Sequence, residues 1–226
     1  MVQKIDPIID QELIKDVRAL GEFERNALAQ GPTVTIFIGQ KPTVYEMSKR
    51  VIMAISPLAN EYFNNDPAAI ELHIPSDKFH WVGVLVLAQW MTHVCKSPRP
   101  FSIRGSHNPL EDISIYTAAR GLGLDLYIHP IFTKLEEFVK GTEHGLLHYE
   151  ELDAICKCDS DDRLFMTTTS VYARLRYYEQ IPDPEEFDDF LSKHPRFEKA
   201  LDWVQTNLEK RNGKPTASIC HELGGD

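Results

Sequence analysis

Residues 33–63 read TVTIFIGQKPTVYEMSKRVIMAISPLANEYF, and the fold turns on this stretch. In Thr33–Ile38, Val34, Ile36 and Ile38 fall on one face and Thr35 and Phe37 on the other, the period of a half-buried strand. Gly39–Pro42 is a turn, so Thr43–Met47 is the returning strand of a hairpin. Ser48 is placed to cap a helix running through Ile55, with Val51, Ile52 and Ile55 as its apolar face. Pro57 breaks that helix, and a second short one holds Leu58, Tyr62 and Phe63. Asn64–Pro67 is a turn, and Ala69–Ile74 alternates as a third strand.

Downstream, Ser76 or Asp77 caps a long helix over Lys78–Val94. Phe79, Val82, Leu85, Val86 and Trp90 make it apolar nearly all round, which predicts a place at the centre of the core. Its most apolar run, Val82–Met91, falls well short of the roughly 20 residues that cross a bilayer. Phe101–Arg104 reads as a short strand. Asn108-Pro109-Leu110-Glu111 carries an N-cap, an N1 proline and an N3 glutamate, so a helix runs from there to Gly121. Pro130 opens another, through Val139. Further helices are expected over Phe165–Glu179, Glu185–Leu191 and Pro195–Arg211, the last with Phe197, Leu201, Val204 and Leu208 on one face. Upstream, Leu13, Val17 and Leu20 sit at helical spacing in Gln11–Gln30, which Gly31-Pro32 ends. The expectation is an α+β domain over 31–140, a small sheet with a cluster of helices. A helical extension over 1–30, a helical region over 141–213 and a mobile tail over 214–226 complete it.

The chain has 226 residues, with 24 Lys+Arg against 34 Asp+Glu and a net charge of −10. That balance argues against a nucleic-acid surface, which needs clustered Lys and Arg. The acids concentrate in the flanks, notably at 150–162 and 183–189, which marks them as solvated faces. Met1–Asp10 has no apolar run behind basic residues, so no signal peptide is read there. The four cysteines (Cys95, Cys156, Cys158, Cys220) are then expected to be free thiols in a reducing compartment, cytoplasm or nucleus.

No residue pattern points to catalysis. Gly121-Leu122-Gly123 follows a helix and reads as a helix cap, not as a dinucleotide loop. Thr167–Ser170 reads as a helix cap too. Asp159, Asp161 and Asp162 open like a calcium loop, but the fifth, sixth and twelfth positions are Arg163, Leu164 and Ser170, which lack the needed oxygen donors and turn. His144 and His148, four apart, would share a helix face, and Cys156 and Cys158 add soft ligands. A metal-binding protein built on those four is one reading, though a one-residue gap between cysteines chelates a tetrahedral ion poorly. No other cofactor is implied.

Taken together, Val34–Gly39, Tyr45, Ser48-Lys49-Arg50-Val51-Ile52, Ser56, Phe63 and the strand at Ile70–Ile74 resemble the opening of a BTB/POZ domain. The helix at Phe79–Val94 sits where that family has its central one, and Tyr116–Ala119 with Leu122-Gly123-Leu124 resembles the family's next helix. The resemblance covers roughly 31–140 and is nearest to divergent fungal BTB-like proteins. Ser48 stands where the family usually has His, and Thr33 where an Asp is common. The resemblance implies a non-enzymatic protein–protein interaction module, self-associating as a homodimer and acting as scaffold or adaptor. Gly39, Tyr45, Ser48, Lys49, Val51, Ser56 and Phe63 are its motif positions, and Leu13, Val17, Leu20, Val51 and Ile52 a candidate dimer interface, with packing of the 11–30 helix within its own chain as the alternative. It also implies a second reading, a substrate adaptor on a cullin scaffold. The hydrophobic-x-Glu motif used for that scaffold has no counterpart, since no Glu lies between Glu71 and Glu111.

Overall fold

The computed structural model describes residues 16–77, 79–141 and 146–212. The chain divides into two compact units, Met1–Leu135 and Glu136–Asp226. It is a mixed α+β protein, mostly helical, with one three-stranded sheet among the described residues.

In the first unit the N-terminal segment departs from the expected long helix. Val17–Ala19 is a single 3-10 turn, Leu20 is extended, and α1 (Glu22–Leu28) begins only after Gly21. The cause lies far along the chain: the Val17 N–H donates to the Tyr127 hydroxyl at 3.0 Å, and the Arg18 guanidinium donates to Ser102 Oγ while pairing with Asp16. Tertiary hydrogen bonds override the helical spacing of the apolar residues. The expected tail over 214–226 lies outside the described residues.

The hairpin forms as its alternation dictates. Val34, Ile36 and Ile38 of β1 (Thr33–Ile38) are buried, and Thr35 and Phe37 are half-exposed. After the turn, β2 (Lys41–Ser48) returns antiparallel, with two register shifts. Ser48 then accepts the Val51 N–H and so caps α2 (Lys49–Ile55). Ser56 caps α3 (Pro57–Asn65) from the Ala59 N–H, with Pro57 at N1. β3 (Glu71–Ile74) comes back parallel to β1, pairing Thr35 with Glu71 and Ile38 with Ile74, so the strand order is β2-β1-β3. The connection from β1 to β3 is long enough for a parallel crossover because β2, α2 and α3 lie within it.

α4 (Trp81–Lys96) and α5 (Pro109–Gly121) pack closely, and α4 also lies against β2, α1 and α2. Asn108 Oδ1 accepts the Leu110 N–H at 2.9 Å and the Glu111 N–H at 3.4 Å, the cap expected from the sequence. Gly123 (φ 75°) ends α5: its N–H donates to Arg120 O, and Leu124 N–H donates to Ala119 O. This paired bonding is a Schellman cap, and its left-handed residue must be glycine-like. Phe101–Arg104 is not a strand. Its groups go elsewhere: Trp90 Nε1 donates to Phe101 O, and the Ile103 N–H donates to Tyr127 O. α6 (His129–Lys140) spans the division between the units.

The second unit holds α7 (Tyr149–Cys156), α8 (Arg163–Tyr177), α9 (Pro184–Lys193) and α10 (Pro195–Asn212). Its core is aromatic: Phe165 and Phe197 meet edge-to-face at 5.8 Å, and Tyr172 stacks with Phe187 at 5.7 Å. Asp162, not the hydroxyl run, caps α8. Thr168, Thr169 and Ser170 lie within α8 and donate back to Leu164 O, Phe165 O and Met166 O, satisfying themselves on the preceding turn. This unit carries 20 Asp+Glu against 11 Lys+Arg; the first carries 14 against 13. The net −10 of the chain is therefore almost all in the second unit. Among the described residues no helix is long and apolar enough to cross a membrane.

Candidate interaction surface

β2 is one of the two edges of the sheet, the other being β3, and it runs beside α4. Val44 and Met47 point into the core, whereas Tyr45 and Glu46 are both exposed. Strict alternation would bury one of that pair. It fails because β2 holds one residue more than β1 between the Val34–Met47 and Ile36–Val44 pairs, and Glu46 takes up the excess at φ 55°. Across from this bulge, α4 presents Leu85, Ala88, Gln89, Thr92 and His93, spaced three, four, seven and eight residues on from the first. The two walls enclose a groove of about 360 Å³. Its floor is apolar, from Val44, Met47, Leu85 and Ala88. Thr92 Oγ1 donates to Ala88 O at 2.9 Å and lies 3.8 Å from Met47 Sδ, which ties the helix wall to the strand wall. Of these residues only Tyr45 carries a sequence motif. Leu85, Gln89, Thr92 and His93 belong to a helix that reads as apolar nearly all round, and their stripe acquires meaning only once β2 lies beside it.

The residues expected to form a dimer interface are placed differently. Val17, Val51 and Ile52 are at most 1% exposed and belong to the core of their own chain. Leu20 is half-buried, and Leu13 lies outside the described residues. Of the stripe, Val17 is used within the chain, since the 3-10 turn at Val17–Ala19 brings its N–H to the Tyr127 hydroxyl. The remaining motif positions are structural. Gly39 makes the hairpin turn at φ 60°. Ser48 Oγ also donates to Leu28 O at 2.8 Å, and Ser56 Oγ to Leu122 O at 2.7 Å. Lys49 Nζ donates to Pro67 O and Ala69 O and stands 4.5 Å above the ring of Phe63, itself wholly buried.

Among the described residues the metal candidates His148, Cys156 and Cys158 form no metal-holding group. His144 lies outside the described residues. His148 is not within a helix but is the extended N-cap of α7, and Cys156 is the last residue of the same helix. A helix of that length holds them about 12 Å apart along its axis, while a zinc ion needs its ligand atoms within roughly 2.3 Å. Among the described residues no group of three or more His, Cys, Asp or Glu side chains is placed to hold a metal ion.

Cys95, Cys156 and Cys158 are free thiols. Burial pushes Cys95 up to about 11, with Arg25 opposing it, and pushes Cys156 up to about 12; burial raises Cys158 as well. Thiolate is the reactive form, so these groups are poor nucleophiles at neutral pH. In a Cys220→Ser variant, Ellman's reagent should react with the native protein at least about 100-fold more slowly than with the unfolded chain, the factor two units of pKa imply. The same shifts fix a pH dependence. In the unfolded chain the thiols ionise near 9.0, in the native chain not until about 11 or above, so their contribution to stability is whole below pH 9 and is lost as the pH rises towards 11 to 12. Urea titrations at pH 8 and pH 10.5 should show that fall.

Comparison with known proteins finds no matching family model, no matching curated protein and no matching solved structure.

Proposed function

We propose that the chain is a non-enzymatic protein–protein interaction module of BTB/POZ type that self-associates and serves as a scaffold or adaptor. The observation that carries this reading is the parallel pairing of β1 with β3 across the β2–α2–α3 connection, followed by α4 and α5. The order hairpin, helix pair, strand, central helix is the one the sequence resemblance implies; the parallel pairing comes from the structure. The motif positions add support, since Gly39, Ser48, Ser56 and Phe63 each perform the turn, cap or core task such a fold would ask of them. The groove beside β2 supplies what a scaffold needs, an exposed aromatic next to an apolar hollow.

Light scattering on the purified 226-residue chain at micromolar concentration tests it. The expected mass is twice the 25.9 kDa of one chain. A mass of one chain at every concentration would remove self-association from the reading.

A further inference from the structure

The groove between β2 and α4 carries three features that bear on its occupant. The first is that knob and hole lie on one patch. Tyr45 is 66% exposed on the rim, and beside it lies the apolar floor of Val44, Met47, Leu85 and Ala88. An exposed ring next to an unfilled apolar hollow is the arrangement by which interfaces gain an anchor, since tyrosine buries a large area at small entropic cost.

The second feature is charge. The strand wall bears the carboxylate Glu46, and no other carboxylate lines the groove. On the helix side the exposed Lys96 lies one turn beyond the lining residue His93, outside the groove itself, and α4 has no Asp or Glu along its whole length. A patch that carries Glu46 on its strand side and Lys96 past the end of its helix side is complementary in charge to a second copy of itself. A two-fold axis through the patch would set the strand wall of one copy against the helix wall of the other and bring Glu46 to Lys96 twice.

The third feature argues against an extended peptide as the occupant. Strand addition needs a regular edge offering N–H and C=O groups in sequence. On β2, Pro42 offers no N–H, the register shifts twice, and Glu46 turns into the left-handed region. Such an edge is blunted against further strands. Recognition through side chains remains open to it.

We propose that this groove is the face through which two copies of the chain associate, Tyr45 of each copy entering the groove of the other. The inference rests on the self-association read above and names its surface.

Sedimentation velocity on the full chain tests it with five samples, wild type among them. Tyr45→Ala should weaken the dimer roughly 30-fold, the loss typical of a central aromatic anchor. Glu46→Lys alone sets Lys against Lys96 at both contacts, and Lys96→Glu alone sets Glu46 against Glu, so each should be weaker than wild type. An equimolar mixture of these two variants should recover the dimer, because both contacts then pair Lys with Glu across the two-fold. No rearrangement within a single chain produces that recovery, and it holds even if Tyr45→Ala melts at a lower temperature. A mixture that associates no better than either variant alone overturns the proposal, as does wild-type affinity in Tyr45→Ala. If wild type dimerises and the substitutions leave it unchanged, the face is refuted while self-association stands. If wild type is a single chain throughout, self-association falls and the face with it.

Discussion

Arg25→Ala should lower the stability of the first unit by about 3 kcal/mol, as several buried carbonyls lose their donor together. Arg25 is 2% exposed, yet no carboxylate accepts from it among its hydrogen bonds. Its guanidinium donates instead to four backbone oxygens: Val94 at 3.2 Å, Ser97 at 2.7 Å, Pro98 at 3.3 Å, and Leu20. Three of them lie at the C-terminal end of α4, where a helix leaves carbonyls without internal partners and where its dipole is negative. Arg25 thus closes the end of the central helix from α1, and in doing so fixes the segment before β1. The planar fork suits several divergent acceptors, whereas a lysine brings a point charge on a longer arc. Arg25→Lys should therefore retain only part of the stability, landing between wild type and Arg25→Ala. Urea unfolding followed through the buried Trp90, in a Trp203→Phe background that silences the second unit, measures both. A loss under about 1 kcal/mol for Arg25→Ala, the worth of a single ordinary hydrogen bond, would show that water replaces the donor and that the cap does little.

Much of the fold was legible because its signals are local. The alternation of Val34, Ile36 and Ile38, the turn at Gly39, the caps at Ser48 and Asn108 and the stop at Gly123 each act within a few residues, and each operates in the structure as its chemistry requires. What misled was decided at a distance. Val17 and Leu20 have helical spacing, but Tyr127, more than a hundred residues away, captures the Val17 N–H and converts the stretch to a single tight turn. Phe101–Arg104 has the composition of a strand, but Trp90 and Tyr127 take its hydrogen bonds. The spacing of Cys156 and Cys158 already disfavours a tetrahedral metal site, and the helix between His148 and Cys156 adds a separation along its axis. The groove was hidden for a related reason. A helix with Leu85, Ala88, Gln89, Thr92 and His93 on one side reads as mostly apolar until an edge strand with a bulge lies next to it.

Gly83→Ala should cost the first unit about 2 kcal/mol net, although alanine is the better helix former by about 1 kcal/mol. Gly83 stands in the first turns of α4, where a glycine otherwise has no advantage. A Cβ there would lie 2.1 Å from Ser114 O, 2.6 Å from the Ser114 carbonyl carbon and 3.0 Å from the Cβ of Ala118. The first two are backbone atoms of α5, and the Ser114 oxygen also accepts from Thr117 Oγ1 at 3.1 Å, so no rotamer change opens the space. Only a separation of the two helices can, and that loosens contacts along a core made of Val84, Leu87, Ile115 and Ala118. A larger residue cannot be accommodated even so: Gly83→Leu should abolish the cooperative transition of this unit. Gln89→Ala, on the exposed side of the same helix, should change stability by less than about 0.5 kcal/mol and serves as the control for propensity. If Gly83→Ala instead stabilises the protein, the helices are not in contact there. The displacement has a second consequence, because α4 is also one wall of the groove. Moving it away from α5 shifts Leu85, Ala88 and Thr92 against β2, so, on the proposed association through this groove, a Gly83→Ala protein that still folds should also associate more weakly, without any change to a residue of the face itself.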